Sequence, residues 1–406
     1  MKAFVAIPAM DEFENTPIVL QNLEKQCGNI HYELVVCVNQ PESWWNIKEK
    51  EHICINNTNT IEYLRDNQFK FSFPIHILDR STKGNGWEGK NYGVGWARKT
   101  AMDTINDLAS KNDIIISLDA DTEFSENYIN SIIKTCQKHL NKTAISVPYY
   151  HKLSNDEKAN RAILHYEIYM RYYALNMIRI GSPYNFTAIG SAMVIPVWAY
   201  KKAGGITPHK SGEDFYFLQK LRKIGAIHQW NEEFVYPAAR FSNRVFFGTG
   251  PAMIKGANGD WSSYPIYHFQ FFDEIKETYN CFPELFKKDS ETLMDQLLHL
   301  KFPRKAIWDL LRKNYKQEDK FIKACHDLID GLRILQFLKW RNSQEMHQDE
   351  EILLRYLSLY YPDESDKLAV VKNNFSFKNS AINELDELRN FLESKEKEFR
   401  KKSTYT

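Results

Sequence analysis

Asp113-Ile-Ile-Ile-Ser-Leu-Asp-Ala-Asp-Thr122 is the stretch on which the reading of this chain turns. Four branched or near-apolar positions followed by Leu118 describe a strand buried on both faces. The run ends on two aspartates separated by one alanine, Asp119 and Asp121. A strand closing this way delivers its acids to the carboxyl edge of a parallel sheet, where open α/β folds bind ligands. Two carboxylates at one strand end can share a hard cation, Mg²⁺ or Mn²⁺, that keeps positions open for phosphate oxygens. A solvated acidic turn would use the same residues, so the weight of the motif depends on its surroundings.

Upstream, the surroundings alternate. Ala3 to Ile7 is a compact apolar run stopped by Pro8, and Pro17 suits the first turn of a helix reaching about Cys27. Tyr32 to Val38 is a second strand, closed by Asn39-Gln-Pro41, which makes a parallel βαβ unit. A short helical portion is expected around Thr60 to Leu64, then a strand from Ile75 to Leu78 ending at Asp79-Arg80. Ser81 to Lys90 is loop by its glycines, and 91–109 a helix with Val94, Ala97, Met102 and Ile105 inward. This is the pattern of an open, doubly wound α/β sheet. Downstream, the spacing predicts helices over 125–140, with Ser125 as N-cap, and over 156–180. A strand is expected over 187–195, where Gly190-Ser-Ala marks a close approach of ligand or backbone. Ser211-Gly-Glu-Asp214 precedes a helix over 215–225, and 227–236 is a last strand region. From about Ile275 the chain reads as helices alone, over 293–315, 321–340, 350–361 and 382–399. The expected organisation is therefore a catalytic domain over residues 1–270 and a helical C-terminal domain over residues 271–406.

Composition narrows the function. The 406 residues carry 53 basic and 52 acidic side chains, a net charge of +1, so no overall nucleic-acid-binding surface is indicated. The six cysteines show no paired spacing, as reduced thiols do. The opening Met1-Lys-Ala-Phe-Val-Ala-Ile-Pro8 is too short an apolar run for a signal peptide. No stretch reaches the roughly 18 apolar residues of a transmembrane helix. The expectation is a cytoplasmic protein whose contact with a membrane is at most peripheral.

Four landmarks then stand in order: Ile7-Pro-Ala-Met-Asp-Glu12, Leu118-Asp-Ala-Asp121, the block from Gly190 to Gly204-Gly205, and Gly212-Glu-Asp214. Over roughly residues 1 to 250 this order resembles the family 2 glycosyltransferases with a GT-A fold. The resemblance implies a mixed, mostly parallel sheet flanked by helices, a nucleotide-sugar donor and a hydroxyl acceptor. It implies that Asp119 and Asp121 hold a divalent metal, Mn²⁺ or Mg²⁺. Donor contacts fall to Pro8, Ala9, Asp11, Glu12, Asn39, Asp79, Lys90, Asp119, Ala120, Asp121 and Arg244, with Arg240 a further phosphate clamp. Asp214 would be the base and Glu213 an acceptor contact. The chain departs from the family at Met10-Asp11, where an aromatic residue and Asn are usual. It departs again at Asn39, where many members place Asp. His228 and His268 are the nearby candidates for a further metal ligand, and Trp87, Trp230 and Trp261 for stacking on a sugar.

The chemistry asks for the same division. A departing nucleoside diphosphate gathers negative charge that a cation offsets. The attacking hydroxyl has a high pKa and needs a separate carboxylate, because a metal-bound acid is a poor base. Three other readings use parts of the pattern. Asp119-Ala-Asp-Thr122 also fits a haloacid-dehalogenase-like phosphatase with Asp119 as nucleophile. A non-catalytic nucleotide-sugar-binding protein would share the fold. A nucleotidyltransferase would need a Gly-rich basic loop after the first strand, which Ala9-Met-Asp-Glu-Phe13 does not supply.

Overall fold

The computed structural model describes residues 1–28, 30–209, 212–242, 248–302, 307–345 and 347–403. Two compact units divide the chain: 1–163 with 186–260 and the residues from Arg400, and 164–185 with 261–399. The second unit therefore takes in part of the long helix expected over 156–180. Among the described residues no helix is long and apolar enough to cross a membrane, and all six cysteines are free.

In the first unit the elements run β1 (Ala3–Ala9), α1 (Thr16–Glu24), β2 (Tyr32–Asn39), α2 (Glu51–Asn67), β3 (Ile75–Arg80), α3 (Val94–Leu108) and β4 (Ile114–Ser117). They continue with β5 (Glu123–Phe124), α4 (Tyr128–Lys138), β6 (Ala144–Ser146), α5 (Glu157–Arg179, divided between the units), β7 (Met193–Pro196), α6 (Val197–Lys202), α7 (Glu213–Ile224), β8 (Ile227–Gln229), β9 (Val235–Tyr236) and α8 (Thr249–Ala257). Seven strands form one sheet in the order β3-β2-β1-β4-β7-β6-β8, with β5 and β9 a separate ribbon. β1 runs parallel to β2 and β4, β2 to β3, and β6 to β8; β7 is antiparallel to both neighbours. The sheet is thus mixed and mostly parallel, flanked by helices, as expected.

Chain order reverses beside β1, which has β2 on one side and β4 on the other, the kind of position past whose carboxyl ends open α/β sheets bind ligands. Pro8 does not end β1, as the sequence reading had it. Ala6 turns its carbonyl toward β4, accepting from Leu118 N–H at 3.1 Å. Pro8, two residues on, turns the same way, but β4 has already stopped at Ser117, so the missing N–H costs no ladder bond. On one face Phe4, Ala6, Val35 and Cys37 pack with Ala97, Ala101, Met102 and Ile105 of α3 and with Phe217, Leu218 and Leu221 of α7. That shared core sets α3 and α7 side by side.

Three expectations needed correction here. The helix around 60–64 is the 17-residue α2, whose buried face includes Asn57 and Thr60 and so lacks a clean apolar stripe. Ser125 does not cap α4; its hydroxyl donates to Glu233 at 2.6 Å, and the helix begins at Tyr128. The strand over 187–195 shrinks to β7, because residues 187–192 are irregular.

The regular elements of the second unit, among its described residues, are helices: the end of α5, then α9 (Phe269–Asn280), α10 (Phe282–Lys287), α11 (Asp295–Lys301), α12 (Ile307–Asn314), α13 (Glu318–Leu328), α14 (Gly331–Asn342), α15 (Asp349–Tyr360), α16 (Pro362–Ser365), α17 (Ala369–Lys372) and α18 (Ile382–Ser403). The helix expected over 321–340 breaks at Asp330, whose carboxylate accepts from Arg333 N–H at 3.1 Å and caps α14. The one expected over 293–315 is α11 and α12, separated by 303–306, which lie outside the described residues. Buried charge ties α5 to α18: Arg171 bonds Glu167 at 2.6 Å and Glu396 at 2.9 Å, and Arg389 reaches Glu167 at 3.5 Å.

Candidate active site

The carboxyl edge of the sheet gathers acids from three elements. β1 leads into Asp11 and Glu12, β4 into Asp119 and Asp121, and α7 opens on Glu213 and Asp214. The acids after β4 and at the start of α7 are set against each other by Arg98, a side chain the sequence reading passed over. It lies on the inward face of α3, 2 % exposed. Its Nε donates to Glu213 Oε1 at 3.0 Å and its Nη2 to Asp119 Oδ1 at 2.8 Å. Its Nη1 donates to Ser117 Oγ at 2.6 Å and to the Gly190 carbonyl at 3.1 Å. One guanidinium thus spans the end of β4 and the start of α7, all three of its nitrogens in use. The signal was available: a cation at position 98 shares its helical face with Val94, Ala101, Met102 and Ile105. The close approach expected at Gly190 is real, and the group that approaches is Arg98. A Cβ at 190 would fall 2.4 Å from Nη2.

Asp214 is half-buried beside this cluster and accepts the N–H of Phe215 at 2.7 Å. Burial first and the charge of Glu213 second push its carboxyl up to about 7, with Arg98 pulling the other way. Gly212 makes the turn into α7 at φ 76°.

Across the crevice Glu12 is buried, 5 % exposed, and its carboxylate accepts from Asn15 Nδ2 at 2.5 Å. Arg240 Nη2 donates to Glu12 Oε1 and, at 2.5 Å, to Asp121 Oδ2. The β5–β9 ribbon explains the encounter, since Glu123 pairs with Tyr236 and so draws the segment after β9 against Asp121. Asp11 takes φ 60°, held there by its N–H donating to Asn57 Oδ1 at 2.8 Å. Asn57 in turn donates to Gln40 Oε1 at 2.7 Å. Asn39 closes β2 at 2 % exposure, its amide donating to the Ala9 carbonyl at 3.0 Å. Its Oδ1 is buried and has no partner among the described residues, an acceptor awaiting an N–H.

The remaining candidates separate from this group. Pro8 and Ala9 are the last residues of β1, and Ala120 is buried between the two aspartates. The Asp79 carboxylate is taken up locally, accepting from Ser81 N–H at 3.1 Å and from Thr82 N–H and hydroxyl at 3.0 and 2.7 Å. Lys90 is exposed in the loop before α3, and Arg244 lies outside the described residues. That loop is held by Glu42, which accepts from Gly84 and Gly86 N–H at 2.9 and 2.8 Å. His228 stacks on His139 and is pushed down to about 4 by burial, while His268 caps α9. Trp87 hydrogen-bonds residues 40 and 42 through its backbone, Trp230 packs on Tyr128, and Trp261 stacks on His165.

Among the described residues no group of three or more His, Cys, Asp or Glu is arranged to hold a metal. Asp119 and Asp121 nevertheless fit a hard cation in part. They are oxygen donors only, at one strand end, and a donor's phosphate oxygens would complete the shell.

No protein-family model matches the chain, and no curated protein matches its sequence. Solved structures are similar to it at low identity. Residues 1–349 of S. aureus TarS in complex with UDP-GlcNAc match at 13% identity and TM-score 0.40, covering 97% of this chain and 91% of that one. A mannosyltransferase from Pyrobaculum calidifontis in complex with GDP-Man and Mn²⁺ matches at 12% and 0.39, covering 95% and 85%. A mycobacterial protein matches at 14% and 0.37, covering 65% and 74%. At such distances, function has to be read from the side chains of this chain.

Proposed function

We propose that this chain is a glycosyltransferase that moves a sugar from a nucleoside diphosphate to an acceptor hydroxyl. The observation that carries the proposal is the shared guanidinium of Arg98, which ties the strand-end Asp119 to Glu213 at the start of α7 around one buried cation while the neighbouring Asp214 sits near pH 7. A group with that pKa is ionised often enough to accept a proton and basic enough to take one from a hydroxyl at neutral pH. Asp214 removes the acceptor's proton as its oxygen attacks the anomeric carbon, and the sugar–phosphate bond breaks with its electron pair going to the diphosphate. Attack opposite the leaving group inverts the anomeric centre. Asp119 and Asp121 would hold the cation, whose chemistry is to offset charge on the departing diphosphate. Glu213, bonded to Arg98, holds the start of α7, and Asp214 with it, beside the end of β4. The orphan Oδ1 of Asn39 suits a nucleobase N–H.

The test is a thermal-shift series with UDP, GDP, CDP and dTDP, with and without Mn²⁺. A nucleotide should raise the melting temperature, and more so with the cation. Asp121→Ala should lose the cation-dependent part. No shift with any nucleotide in either condition defeats the donor reading. A phosphatase would instead hydrolyse small phosphate esters without any nucleotide sugar and lose that activity in Asp119→Asn.

A further inference from the structure

Gly95 is buried in the first turn of α3, where an alanine would make the better helix. It does not take a positive φ, so the backbone conformation does not ask for glycine there. What asks for it is a neighbour. A Cβ at 95 would fall 2.0 Å from the carbonyl oxygen of His209 and 2.8 Å from its nitrogen. The main chain at His209 therefore lies directly on the first turn of α3. Three residues further along that helix, on the adjoining part of its surface, Arg98 Nε holds Glu213 at 3.0 Å. His209 stands only four residues before Glu213, so α3 grips the chain twice, once on the approach to α7 and once at its first residue. The ring of His209 closes the seat from the other side, its centroid 4.7 Å from that of Tyr216 on α7. Pro208, with its fixed φ, stiffens the chain just ahead. Asp214 is the residue after the second grip.

We infer that Gly95 is a positioning residue for the base: by leaving room for the His209 main chain, it sets how closely the start of α7, and Asp214 with it, sits against α3. Gly95 acts through the chain that it seats, not by contact with a reacting atom. A methyl group there must push the His209 carbonyl back by roughly 1 Å or more, since Cβ atoms do not approach other atoms within 3.0 Å. The start of α7 is joined to His209 by four residues and by the Tyr216 ring, so it is drawn outward against the hold of Arg98. A displacement of that size in a reacting group lowers the rate by roughly 10²-fold. The inference rests on the reading of Asp214 as the base, but the seating of Asp214 can be measured without any transfer.

The experiment follows thermal unfolding of the full chain from about pH 4 to 8.5 in wild type, Asp214→Asn, Gly95→Ala and the double variant. In the wild-type background the melting temperature gained by Asp214→Asn grows until the pH reaches about 7. In the Gly95→Ala background Asp214 is less buried, so the gain should stop growing at a lower pH and level off at a smaller value. A methyl that merely strained the fold would lower every melting temperature and leave that gain as it is in wild type. Such a result overturns the inference. Transfer is assayed alongside: Gly95→Ala should lower kcat by roughly 10²-fold, leave the KM for the donor unchanged and move the inflection of the pH profile toward acid. A wild-type kcat, or an inflection that stays where it was, overturns the inference too. Pro208→Gly adds no bulk to α3 but frees the seated chain, and it covers the case in which Gly95→Ala does not fold. It should shift the Asp214→Asn gain in the same direction, and no shift there counts against the seat. If no nucleotide sugar supports transfer in wild type, the glycosyltransferase reading fails, while the melting series still decides whether Gly95 seats Asp214.

Discussion

The pH dependence of transfer gives the sharpest test of the base. With its carboxyl near 7, Asp214 is mostly protonated at pH 6 and mostly ionised at pH 8. If its ionised form takes the hydroxyl proton, kcat/KM rises about tenfold between those values and levels off above them. An aspartate at its ordinary value would give a flat profile over the same range. The cause is burial, with Glu213 adding to it and Arg98 opposing, so the profile reports the packing of the start of α7. Asp214→Asn keeps size and polarity, should leave nucleotide binding intact, and should lower transfer by roughly 10²–10⁴ at every pH. Stability must move the opposite way. The folded carboxyl titrates above its unfolded value of 3.8, so the contribution is fully present below pH 4 and is lost as pH rises toward 7. The melting temperature of Asp214→Asn should therefore gain on wild type across pH 4 to 7 and keep a constant lead above it. The assay is initial-rate transfer from the nucleotide sugar that gives the largest thermal shift, from pH 5.5 to 8.5. A flat wild-type profile, or Asp214→Asn losing nucleotide binding along with transfer, would refute the assignment.

Other perturbations follow from the same contacts. Arg98→Ala leaves Glu213 buried and unpaired and should cost roughly 3–5 kcal/mol in urea denaturation. Arg98→Lys keeps the charge but cannot span the same four partners, and should lower kcat/KM by roughly 10²-fold through misplaced acids. Gly190→Ala drives a Cβ into the Arg98 guanidinium and should destabilise by roughly 1–3 kcal/mol, a loss that Arg98→Ala in the same chain would largely mask. A chain ending at residue 275 strips the partners of 164–185 within the second unit, among them Tyr356, which packs on Tyr172. It should aggregate at room temperature, as light scattering would show.

The sequence could be read wherever one residue pattern dictated one element. Consecutive apolar residues announced β1, β2 and β4, and the acids ending β4 followed from where such a strand must stop. Glu213-Asp214 after a glycine announced the start of α7. What escaped depended on side chains or pairings that no local pattern encodes. Arg98 was hidden because the helix over 91–109 was sorted by its apolar residues, and a buried cation on that face looked like a surface residue. α2 was shortened because its buried face holds Asn57 and Thr60, whose value lies in the bonds of Asn57 to Asp11 and Gln40. The contact between Arg240 and Asp121 needed β5 and β9, each two residues long and too short for any periodicity. The break at Asp330-Gly331 was visible as an N-cap, but the apolar spacing on either side ran on through it.

Residue type alone would have given both arginines the same role; burial separates them. Glu12, Asp119, Asp121, Glu213 and Asp214 lie at one sheet edge, and among the described residues Arg98 and Arg240 answer them. Arg98 is enclosed, with every nitrogen bonded, so displacing it would strand the buried Glu213 carboxylate. It acts as a fixed part of the fold that happens to carry charge. Arg240 is a third exposed and joins Glu12 to Asp121 through Nη2, so its charge stands at the open edge of the sheet. A transfer site of the kind proposed would use both kinds of cation. The enclosed one ties Asp119 to Glu213 and draws the Asp214 carboxyl down against the burial that raises it, and the exposed one offsets the charge of Glu12 and Asp121.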